Sequence, residues 1–147
     1  MDNENRHLKL EKQLCFRLYS LSKKMNRLYA PILKELSLTY PQYLVMLVLW
    51  DNVNSVSIKT LGLELDLDTG TLSPLLKRME TLEIISRCQN KDDERSVDIH
   101  LTKSGQRLRD KAQDIPAKML SITGFTSEQL LSLNPQLDQL LANMSDL

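Results

Sequence analysis

The sequence predicts a mainly α fold with a small β-hairpin: a winged helix-turn-helix with N- and C-terminal dimerisation helices. Three observations carry that prediction. Two short amphipathic segments flank Asp66-Leu67-Asp68, the spacing of a helix-turn-helix. Two alternating apolar/polar segments follow at once, on either side of a wholly polar stretch, and read as a hairpin. Leucine-rich helical patterns at both ends carry more apolar surface than one small domain needs, which points to a homodimer.

The first element is a long helix, LKLEKQLCFRLYSLSKKMNRLYAPIL from Leu8. Leu14, Leu18, Leu21, Met25, Leu28 and Ile32 step by four and three, the spacing of a helix packed along another helix. Cys15 sits at the edge of this seam, either as a small hydrophobe or as a thiol at a subunit junction. Tyr29 follows 14 residues later, about 21 Å along a straight helix but turned by only about 40°. The two side chains share a face yet cannot touch within one chain. A second copy of the helix running antiparallel, with its two-fold axis near Ser22, would bring them together.

Pro31 either kinks this helix or opens a short second one that ends near Leu36-Ser37. Thr39-Tyr40-Pro41 starts the next helix, whose run from Gln42 to Trp50 is nearly all apolar and therefore central. Ser57 caps a helix over Ile58–Leu65, and Asp68 or Thr69 caps another over Gly70 to about Leu82. In the latter, Leu72, Leu75, Leu76 and Met79 face inward, while Gly70, Pro74, Lys77 and Thr81 lie opposite, flanked by Ser73 and Arg78. Strands are expected over 84–89 and 97–101, with Asn90 to Ser96 as the polar tip between them. The tip is either a solvated turn or a wing, and the order of elements favours the wing. Thr102 caps a helix running to about Thr123, kinked at Pro116 and ended by Gly124. Thr126-Ser127-Glu128-Gln129 is a capping box for the last helix, in which Pro135 should bend or break the chain.

Composition bounds the function. The 147 residues suffice for one domain with a real core. The 19 basic and 19 acidic side chains cancel, so charge alone makes no case for nucleic acid. Locally, residues 69–109 hold eight basic and six acidic groups, and residues 1–36 hold eight and four. No apolar run is long enough for a membrane span, and the charged start MDNENRH is no signal peptide, so a cytoplasmic protein is expected. Cys15 and Cys88 form no CxxC or Cys/His pattern, and neither His7 nor His100 has a ligand partner nearby, so no metal or other cofactor is expected.

The stretch LDTGTLSPLLKRME from Leu67, followed by Asp93-Glu94-Arg95-Ser96 and Leu101-Thr102-Lys103-Ser104-Gly105, resembles the MarR family of transcriptional regulators. With QLCFRLY near the N-terminus and LTYPQYLVMLVLW after it, the chain is similar to the OhrR branch, which senses organic hydroperoxides. The resemblance covers nearly the whole chain. It implies a single domain over 1–147, with dimerisation helices at 1–37 and 102–147 and the DNA-binding region at 38–101.

Carried over residue by residue, the resemblance makes Cys15 the redox sensor. Tyr29 and Tyr40 become its hydrogen-bond partners from the opposite subunit, and Tyr19 a further aromatic beside it. Thr69, Thr71, Ser73, Lys77 and Arg78 lie on the helix placed in the major groove; Arg95 is the wing arginine and Asp93 the acid that orients it. The implied partners are double-stranded DNA with a palindromic operator, a second copy of the chain, organic hydroperoxides as inducers, and a low-molecular-weight thiol after oxidation. The chain departs from the pattern in two ways. Glu83-Ile84 replaces the usual glycine after the recognition helix, and residues 102–147 hold no second cysteine, which implies the one-cysteine type. Cys88 is not at the resolving position and is taken as structural.

A sensor thiol reacts as the thiolate, which the start of a helix and two phenol donors would favour. Leu14, Phe16 and Leu18 would favour an alkyl hydroperoxide over hydrogen peroxide. Two other functions are weighed against this one: a MarR-type regulator answering a small phenolic ligand, and a thiol peroxidase. The peroxidase lacks an arginine, acid or second cysteine to activate and recycle the thiol, so the protein is read as no enzyme.

Overall fold

The computed structural model describes residues 8–145; the charged segment 1–7 lies outside the described residues. The helices are α1 (Leu14–Lys34), α2 (Tyr40–Asp51), α3 (Ile58–Leu65), α4 (Thr69–Thr81), α5 (Lys103–Ala112), α6 (Ile115–Thr123) and α7 (Ser127–Met144). The strands are β1 (Val56–Ser57), β2 (Ile85–Gln89) and β3 (Val97–Leu101), paired antiparallel in the order β1-β3-β2. Two compact units result, one ending at Ala112 and one beginning at Gln113.

The first unit is built around α2. Tyr43, Val45, Met46, Leu49 and Trp50 are buried, joined by Leu61 of α3, Leu72, Leu76 and Met79 of α4, and Ile85 and Ile99 of the sheet. Burial on nearly every side explains why α2 has no polar face. Its start is closed by a capping box, in which Gln42 accepts from the Thr39 amide at 2.9 Å. Ser57 caps α3 by accepting from Thr60 N, and Asp68 caps α4 by accepting from Thr71 N at 2.8 Å. Amide and hydroxyl of Thr71 both hold the Asp68 carboxyl below the usual carboxylate range. The cap therefore holds above the ordinary carboxylate pKa and weakens as pH falls through the lowered one.

Three helices end on a non-glycine residue in the left-handed region: Ser37, Asp66 and Glu83, with φ of 56°, 52° and 57°. After α4, Glu83 N bonds Glu80 O and Ile84 N bonds Met79 O, the paired bonds of a Schellman ending. The chain thus keeps the glycine-type turn and fills it with glutamate. Left-handed geometry costs an L-residue about 1–2 kcal/mol, and the Glu83 side chain is exposed. Glu83→Gly is therefore expected to stabilise the protein by roughly 1 kcal/mol, seen as a rise of a few degrees in melting temperature. An unchanged or lower value would refute it.

The structure departs from the sequence expectation at three places. The first helix begins at Leu14 rather than Leu8, because Gln13 is extended and separates it from a 3-10 turn over Leu10–Lys12. The expected helix from Lys103 to Thr123 is two, because the Pro116 ring would meet the carbonyl of residue 112, where α5 stops. Pro116 instead takes the second position of α6, where a missing N–H costs nothing. Pro31 and Pro135, by contrast, lie inside unbroken helices, so of the two alternatives for each, Pro31 opens no second helix and Pro135 does not break the last one. Both prolines are exposed, as are Arg27 and Leu131 four residues earlier, so the freed carbonyls face water. Finally, β1 adds a third strand through Val56↔Ile99, too short for any alternation to announce.

In the second unit, α6 buries Ile115 and Met119, and Gly124 ends it at φ 70°. The capping box at Thr126 and Gln129 opens α7, which buries none of its described residues. Of α1, only Leu33 is buried. Leu14, Leu21 and Met25 remain 55%, 55% and 42% exposed, so among the described residues much of the seam read from the sequence is left open. Among the described residues, no helix is long and apolar enough to cross a membrane.

Candidate functional site: recognition helix, wing and thiol

The exposed side of α4 presents Thr69, Gly70, Thr71, Pro74, Lys77 and Arg78, with Ser73 half-buried beside them. Thr69, Ser73 and Lys77 are spaced i, i+4, i+8 and form one row. Thr71 differs from its neighbours, because its hydroxyl donates to Asp68 Oδ2 at 3.1 Å and so belongs to the helix cap. The turn before α4 is close-packed: a Cβ on Gly62 would lie 2.8 Å from the Leu67 carbonyl oxygen.

Two contacts missed in the sequence fix α4 against the sheet. Arg87 on β2 grips Glu80, with Nη2 at 2.7 Å and Nε at 2.9 Å from one carboxylate oxygen. Those bonds hold the Glu80 carboxyl below the usual range. Behind the turn, the Thr102 hydroxyl donates to Glu83 O at 2.6 Å and accepts from Gly105 N at 3.0 Å. Gly105 O in turn accepts from the buried Trp50 indole at 3.0 Å.

The wing is an organised loop. Asn90 Oδ1 accepts from the amides of Asp92 and Asp93 at 2.8 and 3.1 Å, and its Nδ2 donates to Asp98 Oδ2 at 2.8 Å. Gln89 Nε2 donates to Glu94 O at 2.6 Å, and Asp93 Oδ1 accepts from Arg95 N at 3.0 Å. Asp93 thus holds the main chain of Arg95 rather than its guanidinium, and Arg95 is exposed. Cys88 is exposed on β2, so it fills no core, contrary to the structural role expected for it.

At the other end, Cys15 is the second residue of α1, exposed and unbonded to sulfur. Tyr29 on α1 and Tyr40 at the start of α2 stack with ring centroids 4.5 Å apart. Tyr43 joins Tyr29 at 5.9 Å and meets Trp50 edge-on at 6.3 Å. The chain therefore unites the two predicted tyrosines and leaves Cys15 apart from them, as the helix geometry required. Tyr19 stays 61% exposed, with Lys23 Nζ 3.4 Å from its hydroxyl.

Burial, and for Tyr29 and Tyr43 the neighbouring phenols, push the pKa values of Tyr29, Tyr40 and Tyr43 upward. All three remain donors well past neutrality. Because the folded values lie above the unfolded ones, their contribution to stability is full below about pH 10 and is lost as pH rises through the raised values. Spectroscopic titration should therefore find three tyrosinates forming later in the folded protein than in denaturant, with stability falling over the same interval. Coincident titration curves would refute this.

Residues 27–112 match the family model described as transcriptional regulator SarA/Rot. The chain is 45% identical over 144 residues to the organic hydroperoxide resistance transcriptional regulator of Bacillus subtilis (strain 168), covering 98% of this chain and 97% of that one. The chain belongs to the MarR family of transcriptional regulators. Its fold also matches AbfR of Staphylococcus epidermidis, with a TM-score of 0.79, 32% identity, and coverage of 98% and 99% of the two chains. Reduced AbfR bound to DNA matches with a TM-score of 0.75 and 30% identity, over 98% and 99%. Membership of this family makes the protein a DNA-binding transcriptional regulator with a winged helix-turn-helix between α3 and β3.

Proposed function

We propose that this regulator is a repressor that holds a palindromic operator as a homodimer and releases it when an organic hydroperoxide oxidises Cys15. The observation that carries the reading is the placement of an exposed, unpaired Cys15 on the same helix as Tyr29, which stacks on Tyr40 at the start of α2. Cys15 and Tyr29 stand about 21 Å apart along α1. A partner α1 running antiparallel would set Tyr29 and Tyr40 of one protomer beside Cys15 of the other. The exposed seam Leu14, Leu21 and Met25 supplies the apolar surface for that pairing. The 45% identical Bacillus subtilis relative is an organic hydroperoxide resistance regulator, which supports the inducer class.

The chemistry is compact. The Cys15 sulfur attacks the terminal oxygen of the hydroperoxide, the O–O bond breaks, and the alkoxide leaves as the alcohol after taking the thiol proton. The product is a sulfenic acid. A small thiol then displaces the sulfenic oxygen as water and leaves a mixed disulfide. Either product adds bulk beside phenols that had donated to sulfur, and shifts the α1 helices that space the two DNA-reading heads. In the DNA complex α4 enters the major groove through Thr69, Ser73, Lys77 and Arg78, and Arg95 reaches the minor groove from the wing. The protein acts by binding and not as a peroxidase.

Fluorescence anisotropy tests this, using a duplex that the wild-type protein enriches from a random-sequence library. Addition of cumene hydroperoxide should release the duplex at concentrations where hydrogen peroxide does not. Release by a phenolic acid with no response to either peroxide would replace this reading with a ligand-binding regulator.

A further inference from the structure

We propose that Asn90 is a positioning residue for DNA recognition: it shapes the wing so that Arg95 is presented to the duplex. The inference rests on the wing reading above and goes beyond it, since Asn90 need not itself touch DNA.

The wing holds its shape by hydrogen bonds. Six residues, Lys91 to Ser96, separate Asn90 from β3, and all but Ser96 are exposed, so no apolar packing can hold the loop in one shape. Its shape must come from polar bonds, and most of them converge on Asn90. The side-chain oxygen gathers the Asp92 and Asp93 amides at 2.8 and 3.1 Å, which turns the chain back on itself. The backbone N–H bonds Ser96 O at 2.9 Å and closes the base of the loop. The side-chain nitrogen reaches across to Asp98 Oδ2 at 2.8 Å and ties the turn to β3. The turn also places Asp93, whose carboxylate accepts from the main-chain N of Arg95 at 3.0 Å, at the point where the chain heads back toward β3.

The residue type is as informative as the position. The site needs an acceptor on one side and a donor toward a carboxylate on the other, and asparagine supplies both from one planar group. Aspartate would keep the acceptor and lose the donor. It would also place a second carboxylate against Asp98, on a loop that must approach phosphates. Exchanging the two residues restores the bond in reverse, with the amide on β3 now donating to a carboxylate at the base of the loop, and leaves the net charge unchanged.

The test measures binding to the enriched duplex across a range of salt concentrations for six proteins: wild type, Arg95→Ala, Asn90→Ala, the double substitution Asn90→Ala/Arg95→Ala, Asn90→Asp, and the exchange Asn90→Asp/Asp98→Asn. Arg95→Ala and Asn90→Ala should each weaken binding about tenfold and flatten the salt dependence. The double substitution should bind no more weakly than Arg95→Ala alone. Asn90→Asp should bind poorly, and the exchange should return to within about twofold of wild type. Melting temperatures should stay nearly constant throughout, because the loop lies outside the core. Additive losses in the double substitution, or an exchange no better than Asn90→Asp, would overturn the role of Asn90 while leaving the wing reading intact. An Arg95→Ala protein that binds like wild type would overturn both.

Discussion

Cys15→Ser protein is expected to stay on its DNA at an organic hydroperoxide concentration that lowers wild-type affinity about a hundredfold, a difference of roughly 3 kcal/mol. Serine keeps the size and hydrogen-bonding capacity of the thiol, so the reduced-state dimer and its DNA affinity should be preserved. It cannot form a sulfenic acid or a mixed disulfide, so the trigger is gone. Cys88 provides the internal control. It is also exposed and free, and Cys88→Ser should release DNA as wild type does. Anisotropy on both variants, with mass spectrometry to locate the added oxygen or thiol adduct, checks the assignment. Release of the Cys15→Ser protein by hydroperoxide would place the sensor elsewhere.

Gly105→Ala is expected to be the most damaging small substitution in the first unit. A Cβ at this position would stand 2.1 Å from the Ile84 carbonyl oxygen and 3.1 Å from its carbon, both of them backbone. Neither can swing aside as a side chain would, so α5 must move away from the turn that ends α4. That movement strains the Thr102 bonds to Glu83 and Gly105 and the Trp50 bond to Gly105. Overpacking of this kind costs about 3 kcal/mol, a fall of roughly 10 °C in melting temperature. DNA affinity should fall as well, because the same turn sets the angle between α4 and β2. Thermal unfolding followed by circular dichroism reads the first effect, and a melting temperature within a degree or two of wild type would refute it.

Gly105 also shows where the tyrosine cluster is physically joined to the exit of the recognition helix within the first unit. Tyr40, Tyr29, Tyr43 and Trp50 form a continuous series of ring contacts that ends in the indole bond to Gly105. The tyrosines of the proposed sensor are therefore packed, through buried aromatic rings, against the residue that braces the exit of the recognition helix.

Much of this was legible in the chain itself, because the deciding interactions are local. Ser57 and Thr126 announce helix starts through bonds to amides three residues on, and each makes that bond; of Asp68 and Thr69, both open as caps of α4, Asp68 makes it. The alternation of Val97 to Leu101 placed β3 to the residue. The α1 seam and the 14-residue offset from Cys15 to Tyr29 follow from helical periodicity alone. The motifs that carry the family resemblance lie within single elements or across one turn.

What only the tertiary structure decided are the contacts between different elements, whether seven or 55 residues apart. Nothing local in Val56-Ser57 marks a strand; it becomes one because the fold sets it beside Ile99 and Asp98. Arg87 finds Glu80, Asn90 finds Asp98, and Trp50 reaches Gly105 across 55 residues. These polar groups carry no periodic signal, and each has several conceivable partners until the backbone is closed. Sequence by itself therefore determined where most helices start, which face carries the thiol, and to which family the chain belongs, but not that the stretch from Lys103 to Thr123 divides into two helices. The folded chain decided how rigidly the recognition helix and wing are held, because that depends on donors and acceptors meeting within about 3 Å.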